Sequence, residues 1–260
     1  MKAKDETAEY NRQAWDSQVK QGNKWTVPVD EASISRARAG DWSIVLTPTR
    51  PIPDAWFPNP LKGIRTLCLA SGGGQQAPIL AAAGADVTVV DNSPKQLEQD
   101  SKVASREGLE IKTKLCDMRH LEGLDDGSFN LIIHPCSNCF VPEIQSVWEE
   151  CSRVLAPGGR LLCGMLSPIA FLFDESEYLS GRLKVRHPLP YTDETHLTRR
   201  ELDKLRQDGE PVMFSHSLTE QVAGQVHAGL QLVDLYEDVD PSEPMSKYFP
   251  PYLATYSMKP

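Results

Sequence analysis

From residue 63 to residue 166, short apolar runs alternate with longer stretches in which apolar residues return every three or four positions. The runs at 64–70, 86–90, 110–115, 129–134 and 160–166 have the length and apolar content of buried strands. Three helices are predicted between them. The first covers about 76–83 and stops at Gly84. The second carries its own punctuation: Ser93 to cap it, Pro94 at its first position, Gln96 to complete a capping box, and Gly108 to end it. The third starts near Pro142 and sets Ile144, Val147, Trp148, Cys151, Val154 and Leu155 on one face, until Ala156-Pro157-Gly158-Gly159 stops it. Such alternation implies a parallel sheet with helices on both faces.

The rhythm changes on either side of this region. Residues 1–62 predict an irregular N-terminal cap with a short helix over about 7–20, broken further on by Pro28, Pro48, Pro51, Pro53, Pro58 and Pro60. Trp15, Trp25, Trp42 and Trp56 lie here, too much aromatic surface for a free tail, so the cap packs on the core or walls a pocket. Residues 167–212 have weak periodicity and read as a lid inserted after the fifth strand. Ser217 and Glu220 then open a helix that ends at Gly229, and strands follow at 230–236 and 253–258. The expected fold is α/β and doubly wound, a mostly parallel seven-stranded sheet with a C-terminal antiparallel hairpin. The expected organisation is a cap at 1–62 and a domain at 63–260.

With 260 residues and 40% hydrophobic content, the chain suffices for one sizeable domain. A formal net charge of −9, with Arg199-Arg200 as the densest basic pair, argues against a nucleic-acid partner. No run approaches the ~20 apolar residues of a membrane span, and Met1 to Glu6 lacks the apolar core of an export signal. The six cysteines are accordingly expected to be reduced thiols in a cytoplasmic protein. Cys136-Ser137-Asn138-Cys139 is an isolated C-x-x-C with no second ligand pair, so no metal site is expected.

The chemistry concentrates where the first two strands end. Thr66-Leu67-Cys68-Leu69-Ala70-Ser71 runs into Gly72-Gly73-Gly74, and Val87-Thr88-Val89-Val90 runs into Asp91. Glycines let a backbone approach a ligand closely, and an acid about 20 residues on can accept hydrogen bonds from ribose hydroxyls. Gly72-Gly73-Gly74-Gln75-Gln76-Ala77 fits the loose dinucleotide fingerprint, so both a nicotinamide dinucleotide and S-adenosylmethionine satisfy this much. Three further segments bear on the choice: Cys116-Asp117-Met118 after the third strand, Asp126-Gly127-Ser128-Phe129 leading into the fourth, and Arg153-Val154-Leu155-Ala156-Pro157-Gly158-Gly159 before the fifth.

In this order the segments resemble the class I S-adenosylmethionine-dependent methyltransferases of the methyltransferase-11 type, well over about 64–166 and loosely over 213–258. The resemblance implies S-adenosylmethionine as cofactor, with Ala70, Ser71, Gly72, Gly74 and Gln75 at its methionine end. It places Asp91 and Asn92 at the ribose, and Asp117 and Met118 at the adenine. His134, just past the fourth strand, falls where such folds present the methyl group, as a base or as a residue that orders the loop or touches cofactor. Asn138 is expected to bond substrate or the turn. His187, Tyr191 and His196 in the lid, and the stretch from Tyr248 to Tyr252, are candidates for the acceptor pocket. Two positions depart from the family pattern: Cys68 stands where an acid is usual, and Ala70 where the first glycine is. The activity implied is methyl transfer to a small-molecule acceptor, releasing S-adenosylhomocysteine. The alternatives are a nicotinamide-dependent oxidoreductase and a non-catalytic cofactor-binding protein. The sequence leaves the oligomeric state open.

Overall fold

In a computed structural model describing residues 6–260, seven strands form one sheet in the order β3-β2-β1-β4-β5-β7-β6. They are β1 (Arg65–Leu69), β2 (Asp86–Asp91), β3 (Ile111–Leu115), β4 (Phe129–His134), β5 (Leu155–Leu166), β6 (Gln231–Asp238) and β7 (Tyr252–Met258). The first five are parallel, and β7 lies antiparallel between β5 and β6. This is the doubly wound, Rossmann-like sheet with a C-terminal antiparallel hairpin that the pattern implied. Strand order reverses between β1 and β4, and a crevice opens beyond their carboxyl ends.

Side chains alternate between the two faces. Leu67, Leu69, Ile132, Leu161 and Cys163 pack against one layer, where Val147, Trp148, Cys151 and Val154 form the buried stripe of a helix. Cys68, Val87, Val89, Leu131, Ile133 and Leu162 face the other layer. The N-terminal segment contributes much of that second layer through Ile44, Leu46, Ile52, Trp56, Phe57 and Leu61. Trp56 packs against Tyr236 and Tyr256, with ring centroids 5.2 and 5.8 Å away. The backbone of this segment comes so close that a Cβ at Gly164 would lie 2.2 Å from the Leu46 carbonyl oxygen.

The helices are α1 (Glu6–Gln21), α2 (Glu31–Arg38), α3 (Gln76–Ala82), α4 (Pro94–Glu107), α5 (Gln145–Val154), α6 (Glu175–Leu179), α7 (Asp193–His196), α8 (Arg199–Asp208) and α9 (Gly224–His227). For α4 the cap, the first-turn proline and the terminal glycine hold: Ser93 Oγ accepts from the Gln96 amide at 3.1 Å, and Gly108 ends the helix at φ +65°. The expected capping box does not close, because Ser93 N donates to Asp91 instead and Gln96 Oε1 has no partner among the described residues. Three boundaries differ from expectation. Helix α5 starts at Gln145 because Glu143 caps it from the preceding turn, accepting from Ser146 N at 3.2 Å. Strand β5 already begins at Leu155, since Gly158 and Gly159 pair with Lys259 at 2.8 and 2.9 Å across a register shift. The helix opened by Ser217 widens into a π turn over Thr219–Ala223, as the Glu220 carbonyl accepts from Trp148 Nε1 at 2.9 Å.

Helix α1 is tied across the carboxyl ends of the strands. Asn11 Nδ2 donates to the carbonyls of Phe140 and Val212 at 2.9 and 3.0 Å, and its Oδ1 accepts from Val212 N at 2.8 Å. Asp16 accepts from Ser93 Oγ at 2.6 Å and from Lys95 N at 3.1 Å. In the insertion after β5, Tyr191 packs against Phe171, His187 and His196 with centroids 4.9–5.4 Å away, and its hydroxyl donates to Asp193 at 2.7 Å. Among the described residues no helix is long and apolar enough to cross a membrane.

Candidate active site

A cavity with about 290 Å³ of water-accessible space lies beyond the carboxyl ends of β1, β2, β3 and β4. Its floor is the turn between β1 and α3. Ala70 takes φ +46°, the one positive value at a non-glycine among the described residues, a conformation that costs an L-residue about 1–2 kcal/mol. Such strain persists where surrounding structure enforces it, commonly at functional sites. Ala70 N donates to Val90 O at 2.7 Å, which holds the turn against β2. Acids take part in holding the amides of the glycines: Gly72 N donates to Asp91 Oδ2 at 2.9 Å, and Gly73 N is shared between Asp100 Oδ2 and Gln96 O, both at 3.1 Å. A Cβ at Gly72 would lie 2.6 Å from Gln96 Cβ, so this approach requires glycine.

Ala70, Ser71, Gly72, Gln75, Asp91, Asn92, Asp117 and Met118 all line the cavity, so most of the residues expected at a cofactor converge there. Asp91 accepts from the Gly72 and Ser93 amides, both at 2.9 Å. Burial pushes its carboxyl up to about 6 against the downward pull of those two amides. An ionised carboxylate has about four lone-pair sites, so two remain for a ligand's hydroxyls. Arg119 grips Asp117 at 2.6–3.2 Å, fixing the carboxylate beside Met118. Asn92 lines the cavity while its amide donates to Ala8 O at 2.9 Å, on the helix that roofs the site.

Three expected site residues do not reach the cavity. Gly74, at φ +73°, is turned aside and accepts from Val29 N at 2.9 Å. His134 is fully buried beneath the floor, with Nδ1 3.0 Å from Leu69 O and Nε2 2.8 Å from Asn138 Oδ1. Both ring nitrogens are committed, and burial holds its pKa below the ordinary histidine value. His134 thus ties the end of β1 to the loop after β4. Asn138 is likewise buried, bonded to His134 and within 4.0 Å of Cys163 Sγ. Nor do His187, Tyr191 and His196 line the cavity, because they pack on one another. Of the stretch from Tyr248 to Tyr252, Tyr252 reaches it and Tyr248 is exposed.

Several lining residues were not singled out by sequence. Ala8, Asn11, Arg12 and Trp15 come from α1, and Trp25 from the turn after it. The clue was the tryptophan density before residue 62, which does not say which faces turn inward. The rest of the wall is largely apolar, with Leu46, Cys139, Phe140, Leu166, Met213 and Tyr252. Trp15 and Phe140 meet edge to face at 5.1 Å.

Residues 67–163, which carry this turn and both acids of β2 and β3, match the methyltransferase-domain family Methyltransf_11. Over 250 residues the chain is 46% identical to the uncharacterized methyltransferase YbaJ of Bacillus subtilis (strain 168), covering 96% of this chain and 97% of that one. The chain belongs to the class I S-adenosylmethionine-dependent methyltransferases. Solved structures share the fold of this methyltransferase at low identity. One is the 1,6-didemethyltoxoflavin-N1-methyltransferase of Burkholderia thailandensis, with a TM-score of 0.61 and 16% identity, covering 100% of this chain and 91% of that one. Another is the S-adenosylmethionine-dependent methyltransferase of Mesorhizobium loti, with a TM-score of 0.59 and 16% identity, covering 79% of this chain and 94% of that one. Family membership sets aside the nicotinamide reading of the glycine turn.

Proposed function

We propose that this methyltransferase transfers the methyl group of S-adenosylmethionine to a small, largely apolar acceptor and releases S-adenosylhomocysteine. One observation carries the reading: a single cavity joins the glycine turn, Asp91 and the Asp117–Met118 pair to an apolar chamber under α1. The residues present fit the cofactor. Gly72 leaves room for close approach, Asp91 keeps lone pairs for two ribose hydroxyls, and Asp117, engaged by Arg119 on both oxygens, lines the cavity with Met118 at the adenine end. Bound S-adenosylmethionine supplies a methyl group already activated by its sulfonium.

The chain's own contribution is position and exclusion of water. Leu46, Phe140, Met213 and Tyr252 shape the acceptor side, and α1 with Trp15 roofs it. The ionisable groups there are weak candidates for a base at neutral pH. Burial pushes Cys139 up to about 12 and raises Cys136 and Tyr252 further. The acceptor atom therefore brings its own available lone pair. The Burkholderia relative in fold was solved with 1,6-didemethyltoxoflavin and S-adenosylhomocysteine, an example of a small acceptor on this architecture. All six cysteines are free thiols, which fits a cytoplasmic location.

Calorimetric titration tests the reading. S-adenosylmethionine and S-adenosylhomocysteine are expected to bind and NAD(H) is not; binding of NAD(H) alone would overturn it. A screen of small apolar acceptors then reads methyl transfer by the S-adenosylhomocysteine released.

A further inference from the structure

Helix α4 buries Gln96, Leu97, Gln99, Asp100 and Val103. An acid thus interrupts what would otherwise be an apolar and amide stripe. Asp100 is fully buried, and one of its oxygens, Oδ1, has no partner among the described residues. The nearest charge acting on it is another acid, Asp91, which makes its burial harder still. A buried carboxyl without a cation is costly and calls for a role.

Its hydrogen bonds show where to look: the Gly74 and Gly73 amides both bear on its carboxyl. Asp100 Oδ2 accepts from Gly73 N at 3.1 Å, beside the bond from Gly72 N to Asp91. Two consecutive amides of the glycine turn are therefore held by acids from two different elements. Gly73 sits at φ +112°, and a Cβ there would lie 2.8 Å from the Trp25 carbonyl oxygen on the opposite side. Cys68 at the end of β1 cannot do this work: it is fully buried, and burial together with Asp100 keeps its thiol neutral. One further acceptor by the turn, Gln96 Oε1, is also buried and unpartnered among the described residues.

We propose that Asp100 is the acid of this cofactor turn, supplied from α4 in place of β1, and that it acts as a positioning residue for the methionine part of S-adenosylmethionine through the Gly73 amide. This rests on the cofactor reading above. The adenosine part is held elsewhere, by Asp91, Asp117 and Met118, so the two halves of the ligand separate the roles.

The test compares S-adenosylhomocysteine with adenosine by calorimetry. In Asp100→Leu, which removes the acceptor at similar volume, affinity for S-adenosylhomocysteine is expected to fall on the order of tenfold or more. Affinity for adenosine is expected to stay within about twofold. Asp100→Asn keeps an oxygen acceptor and is expected to stay within about threefold for both ligands. If Asp100→Leu yields no folded protein by circular dichroism, Asp100→Ser, too short to reach Gly73, takes its place with the same expected split. Equal losses for both ligands, or unchanged affinity for S-adenosylhomocysteine, would overturn the proposal. A wild-type protein that binds neither ligand would instead overturn the cofactor reading, and this inference with it.

Discussion

Asp91 does two things at once. Its oxygens take the Gly72 and Ser93 amides, which shapes the turn and the start of α4, while the same carboxylate faces the cavity. Hydrogen bonds to a charged group contribute about 1.5–3 kcal/mol each. Asp91→Ala is therefore expected to weaken S-adenosylmethionine binding by about tenfold or more, since ~1.4 kcal/mol is a factor of ten. Unchanged affinity in a folded variant, measured by calorimetry, would remove Asp91 from the ribose site. Sequence makes Asp91 a candidate because an acid at the end of the strand after a glycine turn can face a ligand, and it does line the cavity. For His134 the sequence leaves both a base and a loop-ordering residue open, because spacing that puts a residue at a strand end does not say whether its ring points up into the crevice or down under the floor.

At the scale of elements, α1 joins the site from well before the glycine turn in sequence. Asn11 clips it to the loop after β4 and to the backbone at Val212 with three hydrogen bonds. Asn11→Ala would leave the buried Val212 amide and two carbonyls without these partners. A loss of about 2–4 kcal/mol in unfolding free energy is expected, together with weaker binding of cofactor as the roof loosens. Denaturant unfolding and calorimetry on the same variant check both; a variant that loses stability and keeps full affinity would show that α1 only covers the core. Helix α4 was readable to the residue, since its cap, first-turn proline and terminal glycine act locally. The start of β5 and the π turn were not, because Lys259 and Trp148, which reset them, lie far away in the chain.

Across the whole molecule, buried ionisable groups set opposing pH limits. His134, His187 and His216 all have pKa values lowered chiefly by burial. The fold holds them neutral while the unfolded chain takes up protons below about 6.5, so their share of stability is full above that pH and is lost as pH falls below it. Asp91 and Asp100 act in the other direction, with carboxyls pushed up to about 6 and about 8. They keep protons that the unfolded chain releases near 4, so stability declines as pH rises from about 4 through about 8. Thermal unfolding followed from pH 5 to 9 is expected to fall at both ends, and Asp100→Asn is expected to make the alkaline side shallower up to about 8, while the buried cysteine thiols, also pushed up, keep the further fall above it. An alkaline limb that is the same in the variant would contradict a buried, proton-holding Asp100.

Sequence by itself determined the order of strands and helices, the glycine turn and its two strand-terminal acids, because period, capping and turn chemistry are local. That Cys68 stands where an acid is usual is what the family resemblance implies. Tertiary structure decided what covers the site and which polar groups face it. Helix α1 closes over residues some 80 positions away, as the bond from Asn92 to Ala8 shows with its separation of 84. Asp100 meets Gly73 across 27 residues only once α4 packs against the turn. Contacts of that kind depend on how faces pack in three dimensions, and no local pattern encodes them.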